Sequence, residues 1–409
     1  MKFPSTTSTF AWLAAAVSCA AVMLFVITSI FTPETSLAAT TPQRLLPETN
    51  PATLKFEPLN TSRDNLIQLA FLLDTSSSMD GLIDQAKSRL WSILNEIIAA
   101  RRDGQAPNVQ VALYEYGNDQ LEASKGYIRQ VVSLTTDVDE ISEKLFALST
   151  NGGQEYCGAV IQQSLDQLEW SRDQDAIKLI YIAGNEGFDQ GSVNPYRAIN
   201  DGRETGVVVN TIFCGPAETG RELGWYSGAM KGAGEYFHID QNQAVVYLSS
   251  PYDDRIEAAN NRLNSTYIPL GHQGRTAIQK QKTQDSNAGT YSKANLASRA
   301  KYKSSANYNN ASWDLVDAYD KDKKVILRTA ALPDSLQQLS ETELKSRIAE
   351  KKAERNSLQS EIKELNKMRD QHIAEEKKKS AVAETNTLGE KIKKSVKQRL
   401  IEKGYEVEN

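Results

Sequence analysis

The run Ile67-Gln68-Leu69-Ala70-Phe71-Leu72-Leu73 constrains this chain more than any other stretch. It is almost wholly apolar, it is closed by Asp74-Thr75-Ser76-Ser77-Ser78, and an amphipathic segment follows directly. A run of this length and kind predicts a strand buried on both faces. Such a strand has no polar side to show to water, so helices must cover both sides of its sheet. The segment from about Leu82 to Ala100 supplies the first of them, with Leu82, Ile83, Ala86, Leu90, Ile93, Leu94 and Ile97 recurring at the helical period. Asp74, Ser76 and Ser78 then fall between strand end and helix start, at the carboxyl edge of a sheet, where open α/β folds bind ligands.

The alternation continues down the chain. Strands are predicted at Val109–Tyr116, Ile128–Leu134, Ile177–Ala183, Val207–Phe213 and Glu235–Ile239. Helices are predicted from Asp137 to about Leu148, and at about Tyr156–Trp170, Val193–Glu204, Arg221–Lys231 and Gln243–Leu263. The second and third strands flank a polar turn at Gly117-Asn118-Asp119, and their close spacing predicts a hairpin and one antiparallel strand in an otherwise parallel sheet. The pattern specifies a doubly wound α/β domain over residues 65–265.

Before it, residues 1–39 form an export signal or membrane anchor. No charged side chain occurs from Phe10 to Phe31, a run long enough to span a bilayer, while Ser36-Leu37-Ala38 before Ala39 reads as a cleavage site. Either outcome places the body of the protein outside the cytoplasm, in the periplasm or cell envelope. Residues 40–64, with Pro42, Pro47, Pro51 and Pro58, read as an extended tether. In an oxidising compartment Cys157 and Cys214 are expected to form a disulfide, with two separately buried thiols as the alternative. The net charge of −5 argues against general nucleic-acid binding, which needs a strongly basic surface.

Beyond 265 the character changes. Residues 266–334 are rich in Gln, Asn, Ser and Lys, including Gln279, Gln281, Gln284, Asn287 and Asn295, and predict an irregular or weakly helical polar connector. Only Trp313–Tyr319 is apolar enough to dock back. Residues 335–409 predict a long charged helix, opened by Ser340 and Glu343 as a capping box. Leu344, Ile348, Lys351, Arg355, Leu358, Ile362, Leu365 and Arg369 alternate four and three apart. That spacing allows a self-associating coiled coil, a solvated single helix, or a helix packed on its own domain. The Lys/Glu-rich tail from Glu375 is expected to be mobile.

Asp74, Ser76 and Ser78 present hard oxygen donors, which suit a divalent cation such as Mg²⁺; the competing reading is simple capping of the following helix. Placed after the first strand of an α/β chain, Asp74-Thr75-Ser76-Ser77-Ser78 resembles the metal-ion-dependent adhesion site (MIDAS) of von Willebrand factor A-type (VWA) domains. Gly152-Gly153-Gln154-Glu155-Tyr156-Cys157-Gly158, Ile182-Ala183-Gly184-Asn185-Glu186 and Phe213-Cys214-Gly215 resemble a bacterial exported branch of that family. The resemblance covers about half of the chain.

It implies a Rossmann-like sheet, a Mg²⁺ ion (or Mn²⁺ or Ca²⁺) at its edge, and binding of a protein partner through an acidic side chain rather than catalysis. The first loop matches fully at Asp74, Ser76 and Ser78. In the second loop Glu155 stands where the family carries threonine, and Thr150 lies too far upstream to replace it. In the third, Asn185 stands where the family carries aspartate. Glu155 adds charge to the ion's surroundings, which favours retention of the ion over capture of a partner carboxylate. A bridge from Cys157 to Cys214 would brace these loops. The remaining alternatives are an envelope scaffold merely rigidified by ion and disulfide, and a metal-assisted hydrolase. For the last, the chain offers no nucleophile-elbow, zinc-protease or phosphate-loop motif, and His238, His272 and His372 are scattered.

Overall fold

Strand β1 (Leu66–Asp74) is buried along its whole length, and its side chains alternate between two cores. Ile67, Leu69, Phe71 and Leu73 face one, Ala70 and Leu72 the other, as the two-residue period of a strand requires. The computed structural model describes residues 65–240, 242, 247–327, 329–380 and 387–407, and the expected signal or anchor and tether lie outside them. Among the described residues no helix is long and apolar enough to cross a membrane.

After β1 come α1 (Asp80–Ala99), β2 (Asn108–Tyr116), β3 (Ile128–Thr135), α2 (Val138–Phe146), α3 (Cys157–Gln167), β4 (Ile177–Gly184), α4 (Pro195–Glu204), β5 (Val208–Cys214), α5 (Ala217–Glu222), α6 (Trp225–Lys231) and β6 (Ala233–Ile239). The strands form one sheet in the order β3-β2-β1-β4-β5-β6. Only the β2–β3 pair is antiparallel. The doubly wound sheet with a single antiparallel strand is therefore as expected. One face packs on α1 and α2, the other on α3, α4 and α6, where Val160, Ile161, Ala198, Ile199 and Trp225 fill the space.

Two helices differ from expectation. The segment Arg221–Lys231 is split into α5 and α6 at Gly224. Of the helix expected over Gln243–Leu263, residues 243–246 lie outside the described ones, 247–252 are not helical, and α7 (Asp253–Asn264) starts past Pro251, a residue type that disfavours the helical conformation in the residue before it.

The expected polar connector is a packed helical layer. It consists of α8 (Gly271–Tyr291), α9 (Lys293–Lys303) and α10 (Leu315–Lys321), followed by the short α11 (Asp334–Gln337). Its polar residues are buried in pairs rather than solvated. Arg299, fully buried, donates to Asp139 of α2 at 2.6 Å and to Asp285, and its guanidinium lies 4.5 Å from the Trp91 ring centroid. Lys303 donates to Asp285, Asn260 and Asn264. Gln284 accepts from Ser142 and Asn95 donates to the Ser298 carbonyl, so the layer is tied to α1 and α2.

The long helix α12 (Glu341–Ser380) opens with the expected capping box: Glu343 N–H donates to Ser340 Oγ at 3.3 Å, and Ser340 N–H to the Glu343 carboxylate at 2.8 Å. Its apolar seam is covered by the chain itself. Leu344 and Ile348 pack with Leu315, Val316 and Ile326, while Leu358, Ile362 and Leu365 pack with Ile256, Leu263 and Ala300. Arg355, at the seam's centre, pairs with Asp314 at 2.7 Å and Asp317 at 2.6 Å. The coiled-coil reading is thereby corrected, because the seam is already spent inside the molecule. The tail also differs: α13 (Leu388–Glu402) is not a loose appendage but places Leu388, Ile392, Val396 and Leu400, each 2% exposed or less, against β1 and α1 in the first core.

The disulfide reading is likewise corrected, since both cysteines are free and buried. Cys157 packs in the core that contains Ala70 and Leu72, and Cys214 in the core that contains Leu69 and Leu73. The sheet stands between the two thiols.

Candidate metal site

The β1 register brings Asp74 level with Tyr116, and Leu73 level with Ala183, so three loops open at one edge of the sheet. The loop after β1 is tightly wound. Ser76 N–H donates to Asp74 Oδ1 at 2.7 Å, Met79 N–H to the Ser76 carbonyl at 3.0 Å, and Thr75 N–H to the Tyr116 carbonyl at 2.8 Å. The aspartate thus binds the backbone two residues on, as aspartates in turns do. Ser76 and Ser78 hydroxyls lie 3.3 Å apart, and Asn185 Nδ2, from the loop after β4, donates to Ser78 Oγ at 3.1 Å. Glu155, just ahead of α3, reaches the same point and lies beside Asp74 and Ser76. Asp74, Ser76, Ser78, Glu155 and Asn185 are all brought together. Thr150 is not among them, since its hydroxyl donates to Asp80 instead.

Glycines make this crowding possible. Gly117 has φ +79°, and a Cβ there would meet Asp74 Oδ1 at 2.8 Å and Glu155 Cγ at 2.9 Å. Only a residue without a side chain fits both the backbone angle and the space. Tyr116 forms the floor, with its hydroxyl donating to the Ala183 carbonyl at 3.0 Å and lying 3.7 Å from Cys157 Sγ. Glu186, beside Asn185, adds a further negative charge that acts on both Asp74 and Glu155. Neither Tyr116 nor Glu186 was singled out from the sequence. For Glu186 its place next to Asn185 was a usable signal, whereas Tyr116 gives none outside the sheet register.

The electrostatics are unusual. Asp74 is fully buried and Glu155 is 5% exposed. Burial drives both carboxyls upward, and the charge of Asp74 raises Glu155 further. Two carboxylates in contact in a dry site cannot both stay charged alone; they share a proton or they share a cation.

Within this site three buried oxygens have no hydrogen-bond partner: Asp74 Oδ2, Glu155 Oε2 and Asn185 Oδ1. Leaving such an acceptor unmet costs about 1–3 kcal/mol, and here the three come from one edge. Among the described residues no three His, Cys, Asp or Glu side chains cluster as a ligand set. The set here instead combines two carboxylates with hydroxyl and amide oxygens. Oxygen donors of this kind fit a hard divalent cation.

No curated protein sequence matches the chain. Among solved structures, proximal thread matrix protein 1 from the mussel byssus is 14% identical over 42% of this chain and 41% of its own, with a TM-score of 0.30. The chain thus spans under half the length of that protein. The conserved hypothetical protein BatB from Bacteroides thetaiotaomicron is 15% identical over 42% of this chain and 90% of its own, with a TM-score of 0.33. The SpRpn10 VWA domain is 14% identical over 44% and 100%, with a TM-score of 0.32. Residues 68–246 match the family model of the von Willebrand factor type A domain, and this part of the chain is a domain of that type.

Proposed function

We propose that this chain is a protein-binding module of the cell envelope whose recognition surface is organised by a divalent cation at the sheet edge. Domains of the von Willebrand factor A type commonly mediate protein–protein interaction. The observation that carries the reading is the convergence of the three unpartnered oxygens of Asp74, Glu155 and Asn185. Asp74 and Glu155 would supply the charge, and Ser76, Ser78 and Asn185 the neutral oxygens. The ion, Mg²⁺ or alternatively Mn²⁺ or Ca²⁺, would supply Lewis acidity and positive charge. The residues themselves fix the three loops relative to one another. Glu155 sets this chain apart from a site built to seize a partner's carboxylate, because it already matches part of the ion's charge. The apolar run Phe10–Phe31 supports delivery to the envelope, either through a cleaved signal or on a single-span anchor.

Calorimetric titration of Mg²⁺, Mn²⁺ and Ca²⁺ into the full chain tests the reading. Saturable binding by the wild type that disappears in Asp74→Ala is the expected result. In Glu155→Thr the ion should bind more weakly, and an acidic peptide more tightly. Silence towards all three ions would refute the ion site and leave a scaffold that binds its partners elsewhere.

A further inference from the structure

Next to the ion-holding edge lies an open cleft of about 420 Å³, lined by Gln154, Glu155, Tyr156, Glu186, Gln190 and Gly191. No basic side chain lines it. We propose that this cleft receives a basic side chain, an arginine guanidinium or a lysine ammonium, presented by the protein partner. The proposal builds on the ion reading above and names the chemistry of the partner that the same edge selects.

The argument begins with charge. A divalent ion opposed by Asp74 and Glu155 is neutralised, and Glu186 then gives the cleft lining one uncompensated negative charge. A partner carboxylate would add to that excess, and a partner cation would cancel it. Selection between partners rests on this difference, since a like charge brought into the cleft is repelled. Glu155 stands on the wall shared by ion site and cleft; it is 5% exposed and its Oε2 has no hydrogen-bond partner. Glu186 is exposed beside it.

The uncharged walls suit the same ligand. The Tyr156 ring offers a π surface of the kind that guanidinium and ammonium groups favour. It is held from behind by Tyr127, with ring centroids 6.2 Å apart. Tyr127 carries φ +56°, a left-handed conformation uncommon outside glycine. Backbone cost of this sort concentrates where a side chain must be aimed. Gly191 passes so close that a Cβ there would meet a Tyr156 ring carbon at 2.7 Å. The carbonyls of the Gln154 and Gln190 side chains can accept from the donor-only head groups of Arg and Lys.

The test titrates the full chain with two capped peptides, acetyl-Gly-Arg-Gly-amide and acetyl-Gly-Glu-Gly-amide, in Mg²⁺ and again in EDTA. The arginine peptide should bind more tightly than the glutamate peptide in Mg²⁺, and EDTA should not weaken it. Glu186→Gln should weaken the arginine peptide about threefold, the scale of one partly exposed charge pair, and should narrow its advantage over the glutamate peptide. Preference for the glutamate peptide, arginine binding indifferent to Glu186→Gln, or no binding of either peptide would overturn the proposal. Mg²⁺ binding without arginine preference overturns the cleft and leaves the ion site standing. Arginine binding that depends on Glu186 in a chain that takes no ion does the reverse.

Discussion

The docking of α13 can be tested by shortening one side chain. Ile392 is 1% exposed and sits over a small apolar cavity lined by Phe71, Leu73, Ala86, Leu90 and Ile93, between β1 and α1. Ile392→Ala removes roughly three methylene-sized groups worth about 0.8 kcal/mol each. The sheet and α1 cannot collapse into the space, so a cavity cost adds to the transfer cost, and buried Ile→Ala changes of this kind run to about 2–5 kcal/mol. A loss of about 3.5 kcal/mol lowers the folded-to-unfolded ratio by a few hundredfold. The assay is urea unfolding followed by far-UV dichroism and by the fluorescence of the buried Trp91 and Trp225, with coincident transitions as the check on cooperativity. The midpoint should fall with the slope unchanged. Ile401, on the same helix but 50% exposed, is the control, and Ile401→Ala should shift stability by no more than about 0.5 kcal/mol. If Ile392→Ala costs less than about 1 kcal/mol and behaves like Ile401→Ala, α13 is not part of the core.

The buried ion network between the helical layer and α2 makes stability sensitive to acid. Burial opposes ionisation of Asp285, but Lys303 and Arg299 beside it outweigh burial and hold its carboxyl well below the usual carboxylate range. Its stabilising contribution is therefore complete above the unfolded value of about 3.9 and is lost as pH falls towards the folded one. Asp285→Asn should cost about 3–5 kcal/mol near neutrality, because it leaves buried cations unopposed. It should also flatten the fall in urea midpoint on acidification below about pH 4; an equally steep fall would refute this assignment. For the cysteines, alkylation without reductant followed by peptide mass mapping should leave Cys157 and Cys214 unlabelled in the folded chain and label both after unfolding. A linked peptide pair would contradict their separation by the sheet.

The α/β domain was legible because its apolar residues carry the pattern. β1 reads as a continuous run, α1 as a 3.6-residue repeat, and the close spacing of β2 and β3 points to the antiparallel pair. The helical layer was illegible for the opposite reason. Gln281, Gln284, Asp285, Asn295, Arg299 and Lys303 are all buried, yet in sequence they look like solvent-facing polar residues. Their burial is compensated pair by pair, and composition records no pairing. α13 sits between these cases. Leu388, Ile392, Val396 and Leu400 recur every four residues, but the lysines around them mask the stripe. At the candidate site the sequence supplied Asp74, Ser76, Ser78, Glu155 and Asn185, which the fold gathers at one edge. It could not supply Tyr116 or the Gly117 clearance, which depend on strand register, and it misjudged the cysteines because opposite faces of a sheet look adjacent along the chain.

The place of α13 has a consequence for how the protein is made. Its stripe completes a core begun more than three hundred residues earlier by β1. Contacts so distant along the chain form late, because the loop between them must close before they contribute. As synthesis proceeds from the N-terminus, the von Willebrand domain therefore stays unfinished, with its α1 flank bare, until α13 emerges. A chain halted partway would expose that apolar flank to chaperones and proteases. Only molecules whose synthesis has passed α13 would close over it, so the docking of that helix acts as a built-in inspection of the core.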